Sequence, residues 1–404
     1  MKIEDLALQR SKYKHLTDDE WRWFLQQVEG RERTADKLPT FASIPDWWYP
    51  VRLSCEQCSS ELTAKYKASL SNSKFKIQNS KFVDLTGGYG VDTFFLSELF
   101  AHTDYVEQNA ELCRITEHNK GLWEKGKGLR EISVHHSIAE EFLSTAGQYD
   151  LIFLDPARRD SHGGKVFRLA DCTPNVVELM PALLSLLTPD GHLLLKLSPM
   201  LDITQALKEL SPITYNQSPL SWDVHVVAVK NEVKEVLLLS QRLTNNDQRP
   251  SITAIDLSNP DQAFTFTREE EQNCQLSIRR QQIGRTINYQ LSTINYLFEP
   301  NAAILKSGAY KLVAQRFGLQ KLDVNTHLYA SDTPVENFPG RVWRIKEQIT
   351  NHKLQITNAN VLVRNYPLTA EQLKKKLRLR DGGDKYIIGA RIAGKPTLFL
   401  AERE

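Results

Sequence analysis

Two short stretches hold the residues best suited to chemistry. Phe82-Val83-Asp84-Leu85-Thr86-Gly87-Gly88-Tyr89-Gly90 joins an apolar run to an acid and a glycine-rich turn. Tyr149-Asp150-Leu151-Ile152-Phe153-Leu154 runs directly into Asp155-Pro156-Ala157-Arg158-Arg159-Asp160. Both read as buried parallel strands that end in a site. A glycine-rich turn between strand and helix lets a ligand approach the backbone, because glycine has no Cβ and tolerates positive φ, while the first N–H groups of the helix are unpaired. Such a turn suits a nucleotide-like ligand. A further acid, Glu107, closes Tyr105-Val106-Glu107, 23 positions after Asp84. A carboxylate at a strand end accepts from both hydroxyls of a ribose. NAD-binding folds share this spacing, but the strict GxGxxG pattern is absent and Asp155-Pro156 has no part in dinucleotide binding.

Positioning these residues requires alternating strands and helices. Strands are expected at 82–85, 102–107, 132–136, 149–154, 192–197, 224–229 and 234–240, with helices at 91–100, 110–124, 139–145, 175–187 and 203–210. Repeated strand–helix units imply right-handed parallel crossovers and a doubly wound α/β sheet. Only residues 230–233 separate the last two strands, too few for a crossover helix, so that pair is expected to be antiparallel.

This plan resembles the class I S-adenosylmethionine-dependent methyltransferases, with their Rossmann-like seven-stranded sheet, over roughly residues 59–240. The resemblance implies S-adenosyl-L-methionine as cofactor, with Asp84, Thr86, Gly87, Gly88, Gly90 and Glu107 forming its cradle. Thr86 stands where a first glycine is usual. Ser137 takes the place after the third strand where the family often has an acid near the adenine. Asp155-Pro156-Ala157-Arg158 is similar to the fourth motif, which implies that Asp155 borders the cofactor and that Asp155 and Pro156 line the methyl-transfer position. In members that act on exocyclic amines, that motif supplies acceptors followed by an aromatic; here the acceptors remain and Arg158 replaces the aromatic. Asp-Pro-Ala-Arg is also similar to RNA methyltransferases of the 5-methyluridine type, which need a cysteine after the fifth strand. This chain has Lys196-Leu197-Ser198-Pro199 there, and Cys172 reads as a structural thiol. Beyond the motif, Arg158, Arg159, Lys165 and Arg168 with Gly163-Gly164 form either a solvated basic loop or a substrate clamp.

The flanks divide the chain further. Residues 1–70 read as a helical N-terminal segment, with Thr17 capping a helix that opens Asp18-Asp19-Glu20. A Pro- and aromatic-rich stretch at 38–50 reads as an ordered loop. Ser59 and Ser60 either cap the next helix or contact ligand. The methyltransferase domain spans 71–240, with 241–295 a linker and β-rich connection. Polar patches at 71–80 and 351–358 read as surface insertions. Residues 296–404 contain 18 Lys and Arg against 10 Asp and Glu, an excess of +8, whereas the remainder has 33 against 39, or −6. A helix within 299–311, strands at 338–345 and 361–366, a basic helix at 369–379 capped by Thr369 and a hairpin at 386–393 and 396–401 are expected there. This tail resembles the small α+β THUMP-like appendage of a bacterial methyltransferase family of unassigned substrate, through Phe338-Pro339-Gly340-Arg341 and Arg364-Asn365-Tyr366-Pro367. Charge concentrated in such an appendage implies RNA as partner, with Lys374, Lys375, Lys376 and Arg378 on phosphates; a solvated helix face is the alternative.

The 404 residues are 41% hydrophobic and 25% charged, as in soluble globular proteins. No apolar run approaches the roughly 20 residues that span a bilayer, and the amino terminus has no signal-peptide core, so no membrane partner and a cytoplasmic location are expected. Five cysteines fit a reducing compartment, and the lone pair Cys55 and Cys58 does not complete a metal site. The function expected is an S-adenosylmethionine-dependent enzyme methylating RNA bases. Its rivals are a non-catalytic RNA-binding protein on a degenerate scaffold and a protein or small-molecule methyltransferase.

Overall fold

A computed structural model gives the fold, describing residues 3, 6, 9–72, 79–125, 130–157, 168–211, 214–215, 218–242, 249–275, 281–283, 286–288, 294–350, 354–392 and 394–404. Two units divide the chain: Met1–Asp223 with Glu235–Asp247, and Val224–Lys234 with Gln248–Glu404.

In the first unit α1 (Asp18–Thr34) and α2 (Glu61–Asn72) precede β1 (Lys81–Asp84), α3 (Val91–Ser97), β2 (His102–Glu107), α4 (Ala110–Glu124), β3 (Glu131–His136), α5 (Ala139–Leu143) and β4 (Tyr149–Leu154). Then come α6 (Val176–Ser185), β5 (Leu187–Leu197), α7 (Ile203–Leu210), β6 (Ser218–Val229) and β7 (Glu232–Arg242), the last two continuing from one unit into the other. The order β3-β2-β1-β4-β5 is parallel throughout, and β7 joins β5 antiparallel. Lys230 and Asn231 turn β6 into β7 with φ of 52° and 60°, the two-residue geometry that matches strand twist, so the expected closing hairpin is present. The winding runs outward from β1 in one direction and from β4 in the other. Between their carboxyl ends lies the crevice where doubly wound sheets hold ligands.

Local chemistry accounts for the helix starts. Thr17 Oγ1 accepts from Glu20 N at 3.2 Å while Glu20 accepts from Thr17 N at 2.7 Å, a reciprocal cap. Ser60 Oγ accepts from Thr63 N at 3.2 Å, so Ser60 caps α2, and Asn109, Asn175 and Asp202 cap α4, α6 and α7. Helix α3 ends at Ser97, short of the expected 100. The stretch at 38–50 is a core element rather than a loop alone: Leu38, Phe41, Trp47 and Tyr49 are buried with Tyr89, Phe94, Phe95 and Trp123. Trp47 Nε1–H donates to the Tyr89 hydroxyl at 3.0 Å, tying this packing to the glycine turn. Cys55 lies in a short helix and Cys58 just past it; burial pushes the Cys55 thiol up to about 12, which leaves it unreactive.

In the second unit β8 (Ser251–Asp256) runs parallel to β6 from Val224, and β9 (Phe264–Thr267) antiparallel to β8. A separate sheet contains β10 (Tyr296–Pro300), β11 (Gln320–Asp323), β12 (Thr326–Ser331), β13 (Gly340–Ile349), β14 (Asn360–Arg364), β15 (Lys385–Ile392) and β16 (Lys395–Arg403), ordered β11-β12-β10-β13-β16-β15-β14. The helix expected within 299–311 is two, α8 (Ala302–Ser307) and α9 (Tyr310–Arg316), parted at Gly308 with φ of 85°. Thr369 caps α10 (Ala370–Leu377), and the expected hairpin is β15–β16. Leu354 and Ile356 pack beside Leu373 and Leu377, so that part of the expected insertion at 351–358 is anchored by apolar contact; 351–353 lie outside the described residues. Ser71 belongs to α2 and is buried, while 73–78 of the other expected insertion lie outside the described residues. Among the described residues no helix is long and apolar enough to cross a membrane.

Candidate active site

Asp84, 1% exposed, ends β1 with both oxygens occupied: Oδ1 accepts from Thr86 N at 3.0 Å and Oδ2 from the Thr93 hydroxyl at 2.6 Å. Burial pushes its pKa up to about 7 against those hydrogen bonds, with Asp92 and Asp155 adding to the rise. Thr86 Oγ1 accepts from Asp155 N at 2.7 Å. The threonine at the usual glycine position therefore joins the carboxyl ends of β1 and β4.

The turn itself is closely constrained. A Cβ on Gly87 would fall 2.2 Å from the Tyr105 ring, and Gly88 and Gly90 have φ of 54° and 77°. Gly88 N–H donates to Glu107 Oε2 at 2.8 Å, Asn109 N–H donates to Oε1 at 2.8 Å, and the Tyr105 hydroxyl donates to Gly88 O at 2.5 Å. These bonds make the turn, the end of β2 and the start of α4 one rigid piece. Each Glu107 oxygen has one amide partner, and a carboxylate offers about four acceptor positions, so capacity remains for two hydroxyls. Among the described residues, a Cβ on Gly88 would meet only Thr86 O, at 3.8 Å. Ser137 follows β3, its N–H donating to Glu107 O at 3.1 Å and its hydroxyl to Ile138 O at 3.0 Å.

Asp155 and buried Pro156 follow β4, and Ala157 pairs with Thr173 through backbone bonds of 2.7 and 3.0 Å. The Asp155 carboxylate is ion-paired with Lys196, whose side chain is 12% exposed near the end of β5. Burial opposes the Lys196 charge, but Asp155, with Asp92 and Glu235 behind it, raises its pKa, so it is an ammonium. Deeper still, Lys67 Nζ from α2 lies 2.6 and 2.7 Å from the two Glu235 oxygens and 3.1 Å from Asp92 Oδ1. Ser59 Oγ donates to Asp92 Oδ2 at 2.7 Å. Burial raises the Glu235 pKa against the pull of Lys67 and Lys196.

The structure thus brings together Asp84, Thr86, Gly87, Gly88, Gly90, Glu107, Ser137, Asp155 and Pro156 at the carboxyl ends of β1 to β4. Sequence reasoning missed Lys196, Glu235, Lys67 and Asp92 as members of this site. The usable signal was a charge within an apolar strand, in Leu195-Lys196-Leu197 and Glu235-Val236-Leu237, since a buried charge demands a partner. Lys67, on a helix of mixed polarity, carried no such signal.

Other expected site residues lie elsewhere. Arg158, Arg159 and Lys165 are outside the described residues, and Arg168 ion-pairs with Glu209 at 3.3 Å. In the second unit Leu373 and Leu377 bury one face of α10, while Lys375, Lys376 and Arg378 are exposed. Lys374 is instead paired with Asp381 at 2.5 Å. Buried Glu299 holds Arg341 and Arg364, one from each of the two stretches that mark the appendage. Among the described residues no cluster of three or more His, Cys, Asp or Glu is placed to hold a metal ion.

Known proteins place this arrangement. Residues 296–339 match a family model for a ferredoxin-like domain and residues 340–403 one for a THUMP-like domain. No curated protein matches the chain. A crystal structure described as a candidate methyltransferase, from Porphyromonas gingivalis W83, is 31% identical; the match covers 96% of this chain and 92% of that one, with a TM-score of 0.78. An rRNA methylase from Streptococcus thermophilus is 13% identical over 44% of this chain and 95% of that one, with a TM-score of 0.34. A candidate methyltransferase from Streptococcus mutans in complex with SAH is 12% identical over 44% and 97%, also at 0.34. At such scores neither adds to what the first establishes. With nearly the whole chain aligned on that relative and the THUMP-like match at its carboxyl end, this protein belongs to the class I S-adenosylmethionine-dependent methyltransferases that carry a C-terminal THUMP-like domain, and it is an enzyme.

Proposed function

We propose that this enzyme methylates RNA, with the first unit holding S-adenosylmethionine and the reacting group and the second unit contacting RNA phosphates. The observation that carries the RNA reading is the THUMP-like match over residues 340–403, in the segment that holds the chain's +8 excess of charge. Exposed Lys375, Lys376 and Arg378 are the phosphate contacts, since clustered cations release counterions from a nucleic-acid backbone.

The residues present fit the cofactor. Glu107 has unused acceptor capacity for a ribose, and among the described residues a Cβ on Gly88 would approach nothing closer than Thr86 O at 3.8 Å, so a ligand can come close to the backbone there. The turn, with Thr86 and Asp84 beneath it, forms the cradle floor, and Ser137 borders the adenine side. When bound, the cofactor supplies an electrophilic methyl group. Asp155 faces the substrate atom and accepts its proton, Pro156 shapes the position, and Thr86 holds the Asp155 backbone against β1.

The test is incubation with radiolabelled S-adenosylmethionine and RNA, protein and small-molecule fractions from cells lacking the gene. Label is expected in RNA. Label confined to the other fractions would overturn the RNA substrate and leave the methyltransferase standing.

A further inference from the structure

We infer that the methylated atom is a hydroxyl oxygen, on RNA the ribose 2′-hydroxyl, and that Lys196 and Asp155 act on it together as catalytic residues. The inference rests on the RNA reading above, whose base-methylation form needs a different set of groups.

An exocyclic amine must shed a proton and free its lone pair, so it needs acceptors around it. At this position the Asp155 carboxylate is already engaged by the Lys196 ammonium, and an ammonium beside an amine competes for the lone pair that must attack. A hydroxyl has one proton to give and two lone pairs. One pair attacks the methyl carbon, the other accepts from Lys196, and the proton has Asp155 to go to. A pyrimidine carbon would require a thiol after β5, where Lys196-Leu197-Ser198-Pro199 has none, and the residue after Pro156 is alanine, bridged to Thr173.

The charge on Lys196 is supported from beneath. Lys67 clamps both oxygens of Glu235 and touches Asp92, while Ser59 occupies the other Asp92 oxygen. The Lys67–Glu235–Asp92 group on α2, β7 and α3 acts electrostatically on Lys196, which is ion-paired with Asp155 at the ends of β5 and β4; all five charges lie in the first unit, and the Asp155–Lys196 pair is their more exposed end. Buried ion networks seldom repay their desolvation as stability, which favours a use for the exposed end. In the transfer the hydroxyl oxygen forms its bond to the methyl carbon and the carbon–sulfur electron pair stays on sulfur. The hydroxyl proton passes to Asp155 and then to water, and Lys196 remains an ammonium donating to the oxygen as charge develops.

The test uses the full-length enzyme and identifies the product. RNA methylated in vitro is digested to nucleosides and analysed by mass spectrometry, and alkaline cleavage is run in parallel, because a 2′-O-methyl group removes the internal nucleophile. Expected are 2′-O-methylated nucleosides and an alkali-resistant linkage at the same position. Base-methylated nucleosides would overturn this inference and leave the RNA methyltransferase reading intact; no label in RNA would overturn both. Lys196→Met is expected to lower kcat by on the order of 10²–10³, the cost of removing one oxyanion donor, with calorimetric affinity for S-adenosylmethionine within about threefold. Lys196→Arg should recover part of kcat with a shifted pH profile. Transfer at the wild-type rate by Lys196→Met would remove the lysine from the reaction. The product analysis stands on the wild-type protein whether or not that variant folds.

Discussion

Replacing Lys67 by Met tests whether the buried network is a set of interdependent charges. The side chains of Lys67 and Glu235 are 0% and 3% exposed, and the two Glu235 oxygens lie 2.6 and 2.7 Å from the ammonium. Removing one partner of a buried pair costs about 3–5 kcal/mol, because the other charge is stranded without water. Glu235 already has a raised pKa from burial, and Lys67 is the first of the charges restraining it; without Lys67 the rise goes further. The folded variant then binds a proton more tightly than its unfolded chain does. Its deficit relative to the wild type is therefore smallest in acid and grows as pH rises above the wild-type Glu235 pKa, itself raised by burial, by about 1.4 kcal/mol per pH unit until the variant's higher folded-state pKa is passed. Urea unfolding at pH 5 and pH 7 followed by tryptophan fluorescence reads this directly, since Trp343 alone of the seven tryptophans lies outside the first unit. With a slope of about 2–3 kcal/mol per molar, the midpoint at pH 7 should fall by roughly 1–2 M, and by clearly less at pH 5. Lys67→Met with Glu235→Leu should regain most of the loss, with Asp92 keeping its Ser59 bond at 2.7 Å. A pH 7 shift below about 0.3 M, or an equal shift at both pH values, would refute the reasoning.

Asp84→Asn tests the raised pKa at the floor of the cradle. A carboxyl moved from an ordinary 3.8 up to about 7 stabilises the fold below its unfolded pKa and loses that contribution as pH rises towards 7, so the variant should flatten the pH dependence of the melting temperature between those limits; an unchanged slope would show that Asp84 titrates normally. Glu107→Ala should weaken S-adenosylmethionine binding by at least about tenfold in calorimetry, as one hydrogen bond to a charged group is worth roughly 1.5–3 kcal/mol; undiminished affinity would remove Glu107 from the cradle. Lys375→Ala with Lys376→Ala should weaken RNA binding and reduce its log–log salt slope by up to about 0.7 per lost single-strand contact. Lys374→Ala should do less because Lys374 is held by Asp381, and an unchanged slope in the double variant would take α10 out of the RNA interface.

By itself the sequence determined much of what short-range rules govern, although β10, β11 and β12 were not anticipated and one expected helix is two. Strands of the parallel sheet followed from apolar runs, two helix starts from Thr17 and Thr369, the closing hairpin from a connection too short to cross over, and the glycine turn from its place after a strand-end acid. These depend on backbone sterics and hydrogen bonds among residues a few positions apart, which a linear reading contains. The tertiary structure decided which distant groups meet. Thr86 reads as a departure from the glycine pattern until its hydroxyl is seen holding Asp155, 69 positions away. Trp47 reads as a loop aromatic until it meets Tyr89, and Lys67, given no role by the sequence, closes on Glu235, 168 positions away. A charge can be buried only where the whole fold delivers its counter-charge, so the apolar strands around Lys196 and Glu235 signal that each needs a partner while nothing at those positions says that Asp155 and Lys67 supply it.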